Sequence, residues 1–183
     1  MPAPYSSKTV ANTFLAIAKE QGVTDLSPMK IQKLVYYAHA WYLAYMGEPL
    51  IADEIQAWKF GPVIPDVYHA FKHYGNNHIT EPAPELSFIA ETLFMQPKTV
   101  PPEDSDACTM ILQVFNSYGK YTPIQLSNLT HSEGEPWKVI SDRYPDELPM
   151  GLTIPDELIE QCFKQQLDAA RATREQVQNQ QHG

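Results

Sequence analysis

The stretch Ser27-Pro-Met-Lys-Ile-Gln-Lys-Leu-Val-Tyr-Tyr-Ala-His-Ala-Trp-Tyr-Leu-Ala-Tyr-Met-Gly47 decides how this chain folds. Ser27 supplies a capping oxygen, Pro28 suits the first helical position and Gly47 suits the stop, so the segment predicts one long helix. Ile31, Leu34, Val35, Ala38, Trp41, Tyr42 and Tyr45 share one side. Met29, Tyr36, Tyr37, Ala40 and Leu43 make the opposite side nearly as apolar, and Lys30 and Lys33 are the only charges between the caps. A helix apolar nearly all round is either the centre of a core or is covered by a partner. Lys30, Lys33 and Tyr37 lie on one stripe, which reads either as a solvated edge or as a polar rim around an aromatic anchor.

Outward from this helix, the pattern stays mainly helical. Val10, Phe14, Ile17 and Ala18 predict a helix over 8–21, with Ser6 or Ser7 at its start and Gly22 at its end. Residues 54–60 alternate like a strand, Gly61-Pro62 breaks it, and Pro65 opens a third helix that Gly75 ends. Residues 76–103 are interrupted by Pro82, Pro84, Pro97, Pro101 and Pro102 and read as a long connection with one short strand near 86–94. Helices then follow over 105–118, from Thr122-Pro123 to about Leu129, from Glu135-Pro136 through Ile140, and from near Pro155. The last loses its apolar stripe beyond Ala170, where it either extends as a solvated helix or frays. The expectation is a mainly α, single-domain helical bundle over 1–167 with a small two- or three-stranded β element, followed by a polar C-terminal tail over 168–183.

Composition narrows the function. The 183 residues are 43% hydrophobic, enough for a packed core without staples. Thirteen basic against 22 acidic side chains give a net charge of −9, and no Lys/Arg run exists, so nucleic acid is not the expected partner. Cys108 and Cys162 stand far apart with no Cys-x-x-Cys pair, and residues 1–7 lack the apolar core of a signal peptide. These features predict a cytoplasmic chain with free thiols, no membrane span and no cofactor.

The candidates for chemistry are sparse. His69 and His73 are spaced i, i+4 on the third helix, as two metal ligands would be, but no third ligand is signalled and no His-Glu-x-x-His motif exists. His131 lies near Glu133 and Glu135, which reads either as an acid–base group or as carboxylates favouring the start of the next helix. Trp58, Phe60 and the Gly61-Pro62-Val63 turn read either as a wedge between the second and third helices or as the edge of a preformed apolar pocket.

Three stretches together resemble a known family. Leu26-Ser-Pro-Met-Lys-Ile-Gln-Lys-Leu-Val-Tyr-Tyr-Ala38 is similar to the family's Met-Lys-Leu-Gln-Lys-Leu-Leu-Tyr-Tyr-Ala helix. Ile55-Gln-Ala-Trp-Lys-Phe-Gly-Pro-Val63, with Pro65 and Val67-Tyr68, is similar to its Ala-Trp-x-x-Gly-Pro-Val-x-Pro-x-Val-Tyr signature. Leu126-Ser-Asn-Leu-Thr-His131 with Pro136-Trp137 is similar to its Leu-x-x-Leu-Thr-His and Pro-Trp block. In family order over about residues 8–165, these resemble the Panacea (SocA-like) antitoxin domain, a group that includes GepA-like phage-associated proteins. The loop over 76–103 and the tail after Leu167 match no pattern of the family.

The resemblance implies an antitoxin that binds and silences a protein toxin, encoded beside it in a bacterial or prophage pair. The residues expected to frame the docking surface are Lys30, Lys33, Tyr36 and Tyr37 of the second helix with Trp58, Phe60, Gly61, Pro62 and Val63 of the bend. A second reading is an adaptor that hands its partner to a AAA+ protease. A third is a metal-dependent hydrolytic enzyme.

Overall fold

The computed structural model describes residues 3–89 and 92–181. In chain order it contains α1 (Ser7–Glu20), α2 (Pro28–Met46), β1 (Gln56–Trp58), β2 (Gly61–Val63), α3 (Pro65–Phe71), β3 (Pro84–Ile89), β4 (Thr92–Pro97), α4 (Ser105–Tyr118), α5 (Pro123–Thr130), α6 (Pro136–Ser141) and α7 (Asp156–Gln181). The fold is mainly α with two small antiparallel hairpins, β1–β2 and β3–β4.

The caps anticipated from sequence are in place. Ser6 accepts from the Lys8 amide, Ser27 from the Lys30 amide and Thr122 from the Gln125 amide, the last within a full capping box. Gly47 closes α2 in the left-handed conformation, with φ at +71°. Because α2 is apolar all round, it sits at the centre, packed by α1, α3, α4, α5, α7 and β2. Ile31, Leu34, Val35, Tyr36, Tyr37 and Ala38 are all buried.

Aromatic rings fill the α2–α4–α7 seam. Tyr37 stacks on Tyr118 with centroids 4.3 Å apart, and Phe163 meets Trp41 edge-on at 4.8 Å. Trp41 Nε1 donates to the Tyr118 hydroxyl at 3.0 Å. His39, buried on α2, links α7 to the chain after α2. The Ile51 amide donates to its Nδ1, which leaves Nε2 to carry the proton and donate to Asp156 at 3.0 Å.

Two readings of the sequence are corrected here. Gly61-Pro62 does not end the β element but begins its second strand, with Lys59 and Phe60 as the two-residue turn between Trp58 and Gly61. The hairpin's other flank is met by residues 152–154, through Ala57 N–H to the Leu152 carbonyl and Ile154 N–H to the Ile55 carbonyl. The connection over 76–103 holds two strands rather than one, β3 and β4, in a regular ladder. The last helix continues as a helix past Ala170, and its side chains from Asp168 to Val177 are exposed.

Candidate functional site

The three motif stretches converge on the β1–β2 hairpin. Gly61 is the point where they touch. Its φ is +105°, a conformation that side-chain-bearing residues rarely adopt. A Cβ there would lie 2.6 Å from Thr130 Oγ1 and 2.7 Å from Lys33 Nζ, so the backbone of the second motif is pressed between a side chain of the first and one of the third.

Around this contact, the polar atoms bond the hairpin backbone. Lys33 Nζ donates to the Pro62 carbonyl at 3.0 Å. Gln32 holds Ile64 at both ends: its Nε2 donates to the Ile64 carbonyl at 2.9 Å, and its Oε1 accepts from the Ile64 amide at 3.0 Å. Ser127 Oγ donates to the Phe60 carbonyl at 2.9 Å, and Trp137 Nε1 to the Trp58 carbonyl at 2.8 Å. Thr130 Oγ1 turns back to the Ser127 carbonyl at 2.7 Å. Trp58 packs edge-on against Tyr68 of α3, centroids 5.0 Å apart. Side chains of α2, α5 and α6 therefore bond the backbone of Trp58, Phe60, Pro62 and Ile64, and in the turn Phe60 stays 61% exposed.

Burial shapes the charges near this frame. Lys33 is 2% exposed, and among the described residues no carboxylate lies within ion-pair distance of it. Loss of hydration pushes its ammonium down from 10.5 to about 7. Glu135 is the N-cap residue of α6, but its side chain makes no capping bond. It is buried, accepts from Gln166 Nε2 at 3.0 Å, and is pushed up to about 7 by burial, with the Gln166 bond acting the other way. Its second oxygen and the Tyr36 hydroxyl are both buried without a hydrogen bond. Tyr36 and Tyr37 are raised well above the ordinary tyrosine range by burial first and by the Glu135 charge second.

The expected docking residues therefore divide. Lys30, Lys33, Tyr36 and Tyr37 are interior and present no surface, which corrects both the solvated-edge and the polar-rim readings of that stripe. The physical reason is that both lysines find partners inside the fold. Lys30 Nζ reaches Asp25 at 2.7 Å and Lys33 reaches Pro62. Gly61 and Pro62 are buried too, while Trp58 and Val63 are partly exposed and Phe60 is the most exposed of the nine.

The candidates for chemistry are not assembled. α3 ends at Phe71 and tightens into a 3-10 turn over Lys72–Tyr74, so His69 and His73 do not lie on one continuous α-helix. Among the described residues no group of three metal-ligating side chains comes together. His131 packs its ring on Trp137 at 3.8 Å and bonds the Ser127 carbonyl, while Glu133 pairs with Lys138 and Glu135 with Gln166. Cys108 is half-buried and Cys162 buried, both free.

Reading the sequence alone missed Gln32, Ser127 and Thr130 as the frame's fasteners. Ser127 and Thr130 carry a local signal, two hydroxyls one helical turn apart within a motif, but the Ser127 acceptor, the Phe60 carbonyl, and the Gly61 backbone that Thr130 abuts belong to another part of the chain.

A model of the family described as antitoxin SocA-like, Panacea domain, matches residues 31–138, a span that holds Gly61 and both residues pressed against it, Lys33 and Thr130. The chain is 33% identical over 163 residues to Antitoxin SocA of Caulobacter vibrioides (strain NA1000 / CB15N), covering 89% of this chain and 85% of that protein. The chain belongs to the SocA-like Panacea antitoxin family. No solved structure matches it. In this Panacea domain Gln32, Lys33, Ser127 and Trp137 of the motifs fasten one hairpin from inside, with Phe60 in its outer turn. No helix among the described residues is long and apolar enough to cross a membrane.

Proposed function

We propose that this protein is the antitoxin of a type II toxin–antitoxin system, acting in the cytoplasm by direct, stoichiometric binding of a protein toxin encoded beside it. The similarity to an antitoxin along most of the chain supports the role. The geometric observation that carries direct binding is the bend over 58–63. Its carbonyls are fastened by Lys33, Ser127 and Trp137, and Phe60 is left outside. A large apolar side chain on a pre-set backbone loses little freedom on docking, which is what makes such residues binding anchors. Ile124, on the helix that holds Phe60 through Ser127, is exposed as well. The acidic charge of the whole chain favours encounter with a basic toxin.

Co-expression with the product of the adjacent open reading frame tests this. Growth should be rescued and the two proteins should co-purify. Phe60→Glu should weaken the complex by about 30-fold, the scale of a central interface anchor, while leaving the thermal midpoint of the free antitoxin unchanged. Toxin abundance separates inhibition from delivery to a AAA+ protease. A toxin that stays abundant but silent supports direct inhibition, whereas one that disappears only when the protease is present favours the adaptor reading. A harmless neighbour, or one that never co-purifies, would defeat the proposal.

A further inference from the structure

The β3–β4 hairpin stands apart from the frame just described. Its ladder sets Pro84 opposite Pro97, Leu86 opposite Met95 and Phe88 opposite Leu93. Proline has no N–H to give, so Pro84 and Pro97 form a pair that exchanges no ladder hydrogen bonds. Pair types alternate along an antiparallel ladder, so Leu86–Met95 and Phe88–Leu93 are pairs of the same kind. The N–H and C=O groups of these four residues point away from the partner strand. On the β3 side, the Lys98 ammonium donates to the outward Leu86 carbonyl at 2.8 Å. On the β4 side, no group among the described residues bonds the outward N–H or C=O of Leu93 or Met95.

The same four side chains share one face of the hairpin, since alternate residues of a strand point the same way. Leu86 is 58% exposed, Phe88 78%, Leu93 52% and Met95 62%; on the other face Ser87 is buried and Phe94, opposite it, is 47% exposed. Strand β4, Thr92–Pro97, carries no charged residue. Soluble proteins ordinarily guard an edge like this with lysine, a bulge or a covering element.

Two quantities select the occupant. The exposed apolar face is on the order of 400 Å², a size that marks an interaction site, but a stable dimer of folded chains needs about 800 Å² from each partner. Between Lys72 and Lys98 the sequence holds three glutamates and no lysine or arginine. An acidic stretch of chain disfavours pairing with a second copy of itself and favours a partner segment flanked by basic residues.

We propose that the open edge of β4, with the apolar face beside it, receives an extended segment of the toxin as a third strand. This rests on the antitoxin reading above. The segment would carry apolar side chains at alternate positions, laid beside Leu86, Phe88, Leu93 and Met95, and lysine or arginine at its flanks. Leu93 and Met95 N–H groups donate to its carbonyls and their C=O groups accept from its amides, as in other cases of strand addition.

The probe is the purified product of the adjacent open reading frame, titrated against the full-length antitoxin. Met95→Pro removes an outward N–H that serves no ladder bond, so the hairpin keeps its pairing. Phe88→Ser strips the apolar face without touching the backbone. Each variant should weaken binding tenfold or more with the thermal midpoint of the free protein unchanged. In the unsubstituted complex, the Leu93 and Met95 amides should exchange with deuterium at least tenfold more slowly than in the free chain. If the unsubstituted protein binds but both variants bind equally well and those amides gain no protection, the strand-addition proposal falls while the antitoxin reading stands. If the unsubstituted protein does not bind, both fall. A free protein that is dimeric and becomes monomeric on Met95→Pro identifies a second copy as the occupant and overturns the proposal as stated.

Discussion

Replacing Lys33 by methionine should stabilise the protein at neutral pH and flatten its response to alkali. The unfolded chain holds the Lys33 proton up to about 10.5, the folded chain only to about 7, because burial strips the ammonium of water without offering a counter-charge. Between those values the unfolded state binds more protons, so stability from this group is fully present above 10.5 and is lost as pH falls towards 7. The slope is at most about 1.4 kcal/mol per pH unit, and the whole window is worth about 4 kcal/mol. Methionine removes that penalty at similar volume. It also leaves the buried Pro62 carbonyl without its donor, a cost of about 1–3 kcal/mol at every pH. The variant should therefore be more stable than the original by about 2 kcal/mol at pH 7 and less stable by a similar amount near pH 10. Urea unfolding at pH 7, 8, 9 and 10, compared as a difference between the two proteins, removes the cysteine and tyrosine titrations common to both. Two parallel stability curves across that range would show that Lys33 is not held as an unpaired buried amine.

Glu135→Gln should act in the opposite window. The folded protein keeps the Glu135 proton up to about 7 and the unfolded chain only to 4.5, so its stabilisation is complete below 4.5 and is lost as pH rises through 7. Between pH 5 and 7 the original protein should lose about 2 kcal/mol more than the glutamine variant in urea unfolding, and equal losses would contradict the assignment. Gly61→Ala, which drives a methyl into Thr130 Oγ1 and Lys33 Nζ at a positive φ, should cost about 3 kcal/mol or more. A loss under about 1 kcal/mol would show that the three motifs do not meet there. Gln32→Leu strands both polar groups of Ile64 in the interior and should cost about 3 kcal/mol, read as a lower thermal midpoint. Truncation after Leu167 removes a stretch whose side chains from Asp168 to Val177 are exposed, with a loose ion pair, Asp168–Arg171 at 3.8 Å, and should leave the denaturant midpoint within error.

What was legible in the sequence was whatever is decided locally. Ser27, Pro28 and Gly47 bracket α2 because caps and stops act within one turn of the chain, and its apolar circumference announces a central position. The prolines hid the strands for an equally physical reason. Pro62 and Pro84 read as breakers because a strand interior normally needs the N–H they lack. In this fold each occupies a pair whose groups face outward: Ala57, opposite Pro62, gives its N–H to Leu152, and Pro84 faces another proline. Lys33 was misplaced on the surface because lysine is almost never interior, and the carbonyl that draws it inward comes from a strand 29 residues away. Of the candidate site, the bend carrying Phe60 could be anticipated from its glycine and proline. The β4 edge could not, since an unpaired strand is defined by what is missing beside it in space.

The central position of α2 also sets an order of events at the ribosome. His39 and Asp156, which bond across the α2–α7 seam, are 117 residues apart in the chain. At a synthesis rate of about 5–20 residues per second, Tyr36, Tyr37 and Trp41 emerge some ten seconds before Phe163 arrives to cover them. For that interval the nascent polypeptide leaves an aromatic rod without its final cover.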